Sequence, residues 1–196
     1  MDIDNNYISN TFINIGLLYR AMSHYNNKGF IMTSVPSCVD LNSTFQSIPE
    51  DKRQYIHPIA RSRENDSYYV GSAEQSFIYL HSQGILPEGK FMAITPCVRD
   101  EREDETHLGL FLKIELISLG EHNVESMLEN AYSFFKTLTA DLEIVDSGNK
   151  PFEKDILVSG IEVGSYGLGS MLDGTRYTYG TGIAEPRLSF ALSSKN

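Results

Sequence analysis

The chain has 196 residues, a net charge of −10 and 41% hydrophobic residues, including 11 Tyr and 10 Phe. This length suits one domain, spanning 1–196, with a substantial core, and the apolar content is too high for a disordered chain. The acidic balance argues against a general nucleic-acid binder, because phosphate neutralisation needs clustered Lys and Arg. No apolar run reaches membrane-spanning length, and Met-Asp-Ile-Asp-Asn-Asn at the amino terminus lacks a basic stretch followed by an apolar one. The expectation is a soluble, cytoplasmic protein with no membrane contact. Cys38 and Cys97 are unpatterned and suggest neither a disulfide framework nor a cysteine zinc site.

In chain order, Ile8, Phe12, Ile15, Leu18, Tyr19 and Met22 recur at helical spacing and predict an amphipathic helix over 7–26, ended by Asn26-Asn27-Lys28-Gly29. Phe30–Val35 reads as a strand reaching Pro36. Residues 40–66 are polar and look like a loop-rich excursion. Ser72 and Gln75 have capping-box spacing ahead of a helix from Ala73 to about Ser82, and Gly84 suits its end. Two alternating stretches, 91–99 and 109–117, then flank a short acidic turn. Side chains alternate with period two on a strand, so Leu110, Leu112, Ile114 and Leu116 share one face while Phe111, Lys113 and Glu115 share the other. An even pairing register adds Arg99 to that second face. A guanidinium, an aromatic ring, an ammonium and a carboxylate together can clamp a phosphate, stack a base and receive an amine or hydroxyl.

Val124, Met127, Leu128, Ala131, Phe134, Phe135 and Leu138 mark another long helix. Strands follow near 142–146, 156–163 and 176–182, and a last helix runs from about Glu185 to Leu192. The order predicts an α+β domain with a largely antiparallel sheet flanked by helices.

Three separated segments carry a family resemblance. The long helix followed by Gly29-Phe30-Ile31-Met32-Thr33-Ser34-Val35-Pro36 is similar to the first motif of class II aminoacyl-tRNA synthetases, which ends in a proline and builds a homodimer interface. Arg99-Asp100-Glu101 and His107-x-x-x-Phe111 resemble the Arg-x-Glu and His/Arg-x-x-x-Phe elements of the second motif. Thr181-Gly182-Ile183-Ala184-Glu185-Pro186-Arg187 resembles the third, a strand running into a helix that presents an arginine. The resemblance spans about residues 7 to 192 and is most like the seryl type. Tyr69-Val70-Gly71-Ser72-Ala73-Glu74-Gln75 resembles the segment bearing a Thr-x-Glu element, with Ser72 in place of the threonine. Phe111-Leu112-Lys113-Ile114-Glu115 resembles Phe-x-Lys-x-Glu, and Ile161-Glu162-Val163-Gly164-Ser165 resembles a Glu-x-x-Ser segment.

The resemblance implies a class II catalytic core that activates an amino acid with ATP and Mg²⁺, forming an aminoacyl-adenylate. It implies that Arg99 and Arg187 bracket the α-phosphate, His107 touches the γ-phosphate, Phe111 covers adenine and Glu101 accepts from its amine. Glu162 and Ser165 would hold Mg²⁺ beside the phosphates. Ser72 and Glu74 would meet the substrate ammonium, Glu115 and Thr181 a small side-chain hydroxyl, as in serine, and Lys113 would also contact the substrate. It also implies a homodimer built through residues 7–36.

The turn Arg102-Glu103-Asp104-Glu105-Thr106 is short and acidic where tRNA-charging relatives have a longer one, and neither a coiled-coil arm nor an anticodon-binding domain is read in the chain. The expectation is therefore transfer to a carrier protein, a small-molecule amine or a separately recruited acceptor, without binding of an intact tRNA unless a basic partner chain supplies it. The competing expectation is a catalytically silent paralogue acting as a dimeric ligand-binding or regulatory subunit.

Overall fold

The computed structural model describes residues 12–48, 50, 53, 58–60, 66–99, 108–120, 123–148 and 152–194. Helix α1 (Ile15–Asn27) starts where the Asn14 side chain accepts from the Leu17 amide at 3.1 Å, satisfying one first-turn donor. Leu17, Leu18, Ala21 and Tyr25 point inward, whereas Phe12, Ile15 and Tyr19 are 66%, 64% and 67% exposed. The apolar stripe is thus wider than the protein's own core uses. The predicted helix before residue 12 lies outside the described residues.

The strand expected over Phe30–Val35 is only β1 (Ile31–Met32). It pairs in parallel with Phe91 and Met92, and the ladder stops shortly before Pro36, which has no amide to donate. The stretch expected as loop over 40–66 holds α2 (Leu41–Ser47) and β3 (Pro58–Ala60), and β2 (Cys38–Val39) and β4 (Asp66–Tyr69) flank it. Among its described residues, Asp40, Ser43 and Thr44 have structural roles. Asp40 caps α2 by accepting from the Ser43 amide at 2.9 Å and hydroxyl at 3.0 Å, and Ser43 and Thr44 are buried. Strands β2, β4 and β3, in that order, form a small antiparallel sheet.

Then come α3 (Ala73–Ser82), β5 (Gly89–Val98), β6 (Leu110–Leu119), α4 (Val124–Phe135), β7 (Leu142–Asp146), β8 (Lys154–Val158), β9 (Ile161–Ser170), β10 (Arg176–Glu185) and α5 (Arg187–Ser193). The strand expected over 156–163 is two strands, because Ser159 and Gly160, with φ of 52° and 77°, make a tight turn between β8 and β9. The last helix begins at Arg187, since β10 continues to Glu185 and Pro186 intervenes. The large sheet has seven strands in the order β1-β5-β6-β10-β9-β8-β7, antiparallel except for β1 with β5. The architecture is α+β, a largely antiparallel sheet flanked by helices.

Helices α1, α4 and α5 pack one face of this sheet, burying Ala21, Tyr25, Phe134 and Leu188 against Ile114, Leu116 and Ile183. On the opposite face α3 covers only part of the surface, with Phe77 and Ile78 against Phe91, Ala93, Ile117 and Tyr177. The remainder, which no described helix covers, carries the candidate site. No helix among the described residues is long and apolar enough to cross a membrane.

Candidate functional site

Register decides what the open face displays. Cys97 lies opposite Phe111, Thr95 opposite Lys113 and Ala93 opposite Glu115, and the Arg99 amide reaches the Gly109 carbonyl at 3.0 Å. Directly opposed residues share a face, so Arg99, Phe111, Lys113 and Glu115 stand in one row, as the even register predicts. The Arg99 guanidinium carbon sits 5.2 Å from the centroid of the Phe111 ring, and its Nε and Nη2 donate to the Gly71 carbonyl at 3.3 and 3.2 Å. Aromatic contact on one side and a carbonyl on the other restrict the plane of the guanidinium. Cys97, buried beneath this row, has its thiol pushed up by burial, against the opposing pull of Lys113.

Deeper in, Glu115 is 1% exposed and is held from two sides. Lys113 Nζ lies 2.7 Å from Oε2, and the Ser72 hydroxyl donates to the same oxygen. A buried carboxylate needs such partners, because desolvation otherwise disfavours its charge. Ser72 also caps α3, its Oγ accepting from the Glu74 amide at 3.1 Å, so one hydroxyl ties helix to strand. Gln75 completes the cap one residue earlier than the box pattern predicts, accepting from the Gly71 amide at 2.8 Å. Glu74, in the first turn of α3, accepts from the Tyr177 hydroxyl at 2.7 Å. Thr181 stands opposite Glu115 on β10, and its Oγ1 accepts from the Ser165 amide at 3.5 Å.

Two bulges bring the remaining residues to this face. On β9, Gly164 pairs with Ile156 but Glu162 pairs with Leu157, leaving Val163 as the extra residue. Glu162 and Ser165 are an odd number of positions apart and would face opposite ways on a regular strand. With the bulge, both face the site, while Val163 joins the core. On β10, Thr181 pairs with Glu115 and Ile183 with Ile114, so Gly182 is the extra residue. A Cβ on Gly182 would come 2.7 Å from Ile114 Cγ2, which explains the glycine. The displaced carbonyls are met by buried tyrosines: Tyr25 donates to Gly182 O at 2.9 Å and Tyr166 to Thr181 O at 2.7 Å. Beyond this bulge, Arg187 Nη1 reaches within 3.7 Å of Glu162 Oε1.

The structure therefore gathers Ser72, Glu74, Arg99, Phe111, Lys113, Glu115, Glu162, Ser165, Thr181 and Arg187 on one face. Both arginines lie at the same end of the sheet, where β5 and β10 finish and β6 and β9 begin. Glu101, His107 and the acidic turn 102–106 lie outside the described residues.

Sequence reasoning missed four residues of this face. Tyr177 and Tyr179 alternate with Thr181, a signal that was available. Their rings lie across Gly169 and Gly167, where an added Cβ would meet them at 2.1 and 2.6 Å. Burial, then the Glu74 charge, push both phenols well above the ordinary tyrosine range, so they act as neutral donors, Tyr179 to the buried Glu153. Glu153 and Asp155 had no local signal, since their place depends on β8 pairing with β9. Burial, with the nearby Glu162 and Glu153 charges, raises the Asp155 carboxyl, and its Oδ1 has no hydrogen-bond partner among the described residues. No group of three or more described His, Cys, Asp or Glu residues is arranged to hold a metal by itself.

No protein-family model and no curated protein matches the sequence. Solved structures do match. The cytoplasmic serine-tRNA ligase from Naegleria fowleri in complex with AMP aligns with 97% of this chain and 49% of its own, at 15% identity and a TM-score of 0.74. The fold is that of a class II aminoacyl-tRNA synthetase catalytic core. Pyrrolysyl-tRNA synthetase from Desulfitobacterium hafniense aligns over 89% and 67%, at 14% identity and a TM-score of 0.69. Seryl-tRNA synthetase from Pyrococcus horikoshii complexed with ATP aligns over 90% and 49%, at 17% identity and a TM-score of 0.72. This chain thus spans about half the length of the two seryl enzymes and about two thirds of the pyrrolysyl one. At these identities the likeness is one of fold.

Proposed function

We propose that the protein activates serine or a similar small amino acid with ATP, forming an aminoacyl-adenylate and releasing pyrophosphate. The observation that carries this reading is the convergence of Arg99 and Arg187, from separate motifs, on one end of one sheet face. The substrate carboxylate attacks the α-phosphorus and the pyrophosphate oxygen leaves in line, so the protein needs only positioning and charge stabilisation. The two guanidinium forks suit the redistributed charge on the α-phosphate oxygens better than ammonium groups would. Phe111 offers a ring face to adenine, with Glu101 accepting from its amine and His107 at the γ-phosphate. Glu74, steadied by Tyr177, receives the substrate ammonium. Glu115 and Thr181 meet a side-chain hydroxyl, and Lys113 and Ser72 hold Glu115 in place. A site built for a hydroxyl rejects analogues lacking one, because its buried polar groups are then left short.

The donor chemistry around Glu162 fits Mg²⁺. Glu162 and Ser165 present oxygen ligands on one face, beside Asp155, whose Oδ1 has no hydrogen-bond partner among the described residues. Magnesium bound there would draw its other ligands from phosphates and water and offset the charge between them. The exposed row of Phe12, Ile15 and Tyr19, continued by Ile31 and Met32 at 59% and 40% exposure, supports a homodimer through residues 7–36. The acyl group then passes to a carrier protein, a small molecule or a separately recruited acceptor in the cytoplasm.

The test is ATP–pyrophosphate exchange with each of the twenty amino acids, Mg²⁺ present and no tRNA added. Exchange with one small hydroxylated amino acid is expected. ATP binding without exchange for any of them would favour the silent, dimeric ligand-binding subunit instead.

A further inference from the structure

Where β10 gives way to α5, one carboxylate is wholly buried. Glu185 is 0% exposed and accepts three hydrogen bonds. The Ser189 amide donates to Oε1 at 3.1 Å, the Ser189 hydroxyl to Oε2 at 2.7 Å and the Asn14 amide to Oε2 at 3.0 Å. The first two tie Glu185 to the helix that begins with Arg187. The third crosses 171 positions of sequence to the N-cap of α1. The same helix holds the same strand again at its other end, through the Tyr25 hydroxyl on the Gly182 carbonyl. Helix α1 therefore grips residues 182–185 from both of its ends, immediately before Arg187.

We propose that Glu185 is a positioning residue that couples the first turn of α1 to Arg187, so that a load on the outer face of α1 is felt at the phosphate site. Its effect on catalysis rests on the activation reading above; the coupling itself does not. A buried carboxylate stays affordable only while every donor around it is in place. Helix α5 cannot slide against α1 without stranding that charge, so the two helices move together. An arginine that must meet two phosphate oxygens tolerates little displacement, which makes this link consequential. The outer face of α1, with Ile15 and Tyr19 exposed and Phe12 exposed just ahead of its cap, is where a load would act.

Glu185→Gln separates the two sides of the link. In either orientation one backbone donor is opposed: with the amide oxygen at the Oε1 position the NH₂ faces the Asn14 amide, and with it at the Oε2 position the NH₂ faces the Ser189 amide, so one side of the link is broken. Hydrogen exchange on the full chain is expected to quicken about tenfold at residues 14 and 187–190, with other core amides unchanged. In ATP–pyrophosphate exchange the same variant is expected to lose about tenfold in kcat at unchanged KM for the amino acid. Asn14→Pro removes both the amide donor and the helix cap at a residue whose φ of −82° suits proline, and Asn14→Ala, which removes the cap alone, is its control. At residues 187–190 and in kcat the proline variant, which has no amide of its own at position 14, should reproduce the Glu185→Gln behaviour, and the alanine variant should not. Unchanged amide exchange at both segments overturns the proposal, as does full kcat despite faster amide exchange. A wild type without ATP–pyrophosphate exchange would sink the activation reading alone, leaving amide exchange to decide the coupling.

Discussion

The two faces of the large sheet are made by alternate residues of the same strands and obey different rules. On β6, Leu112, Ile114 and Leu116 look towards α1, α4 and α5, while Phe111, Lys113 and Glu115 look the other way. The helix-covered face is held by shape and burial. The tyrosine hydroxyls of Tyr25 and Tyr166 that enter it each serve a carbonyl freed at the Gly182 bulge or beside it. The open face is held by pairs: Lys113 with Glu115, Ser72 with Glu115, Tyr177 with Glu74, Tyr179 with Glu153 and Arg187 with Glu162. One face stores stability and the other presents charge, and a strand supplies both only because its side chains alternate.

Mutations on the open face should therefore touch chemistry as well as folding, and mutations on the covered face folding alone. Glu115→Ala strands Lys113 in a site that is mostly closed to water. The expected loss is about 3–5 kcal/mol in urea unfolding, together with weaker amino-acid binding. A near-wild-type unfolding midpoint would mean that the pair is solvated and the open face does not contribute to folding. Arg99→Ala and Arg187→Ala should each lower the exchange rate about 10²–10³-fold with little change in melting temperature. Wild-type rates in both would remove the phosphate site from this end of the sheet.

Tyr166→Phe tests the other face. It leaves the Thr181 carbonyl without its donor and should cost about 1–3 kcal/mol of stability, with kcat of the folded protein preserved. A loss of kcat larger than the loss of stability would show that the bulge geometry reaches the site. The smallest expected effect is in pH. Burial raises the Glu185 carboxyl above the ordinary range, outweighing its hydrogen bonds from Ser189 and Asn14. The folded state then holds this proton more tightly than the unfolded state. Its contribution is complete below the unfolded pKa and is lost as pH rises through the folded one. Glu185→Gln should flatten that part of the melting-temperature profile, and an identical profile in the variant would contradict the shift.

Much of this was legible before any coordinates. The period-two pattern of Phe111, Lys113 and Glu115 and the even register with Arg99 needed only local rules, and the hairpin formed in that register. Other parts resisted for definable reasons. The region 40–66 looked like loop because Asp40, Ser43 and Thr44 are a cap and buried hydrogen-bonding groups, which composition alone does not distinguish from solvated ones. The β8–β9 turn was overlooked because Ser159-Gly160 interrupts an apolar run by only two residues.

The sequence by itself determined that one strand carries a charged, aromatic row above an apolar one, because alternation is a property of neighbouring residues. It also determined which residue types share that row: a guanidinium, an aromatic ring, an ammonium and a carboxylate. Only the tertiary structure decided that Glu162 and Ser165 share a face, that Tyr177 and Tyr179 anchor Glu74 and Glu153, and that Glu185 ties α1 to the helix of Arg187. Those arrangements depend on a one-residue bulge or on a partner strand or helix distant in sequence. Which face a side chain finally meets is then set by what the strand pairs with, not by its own pattern.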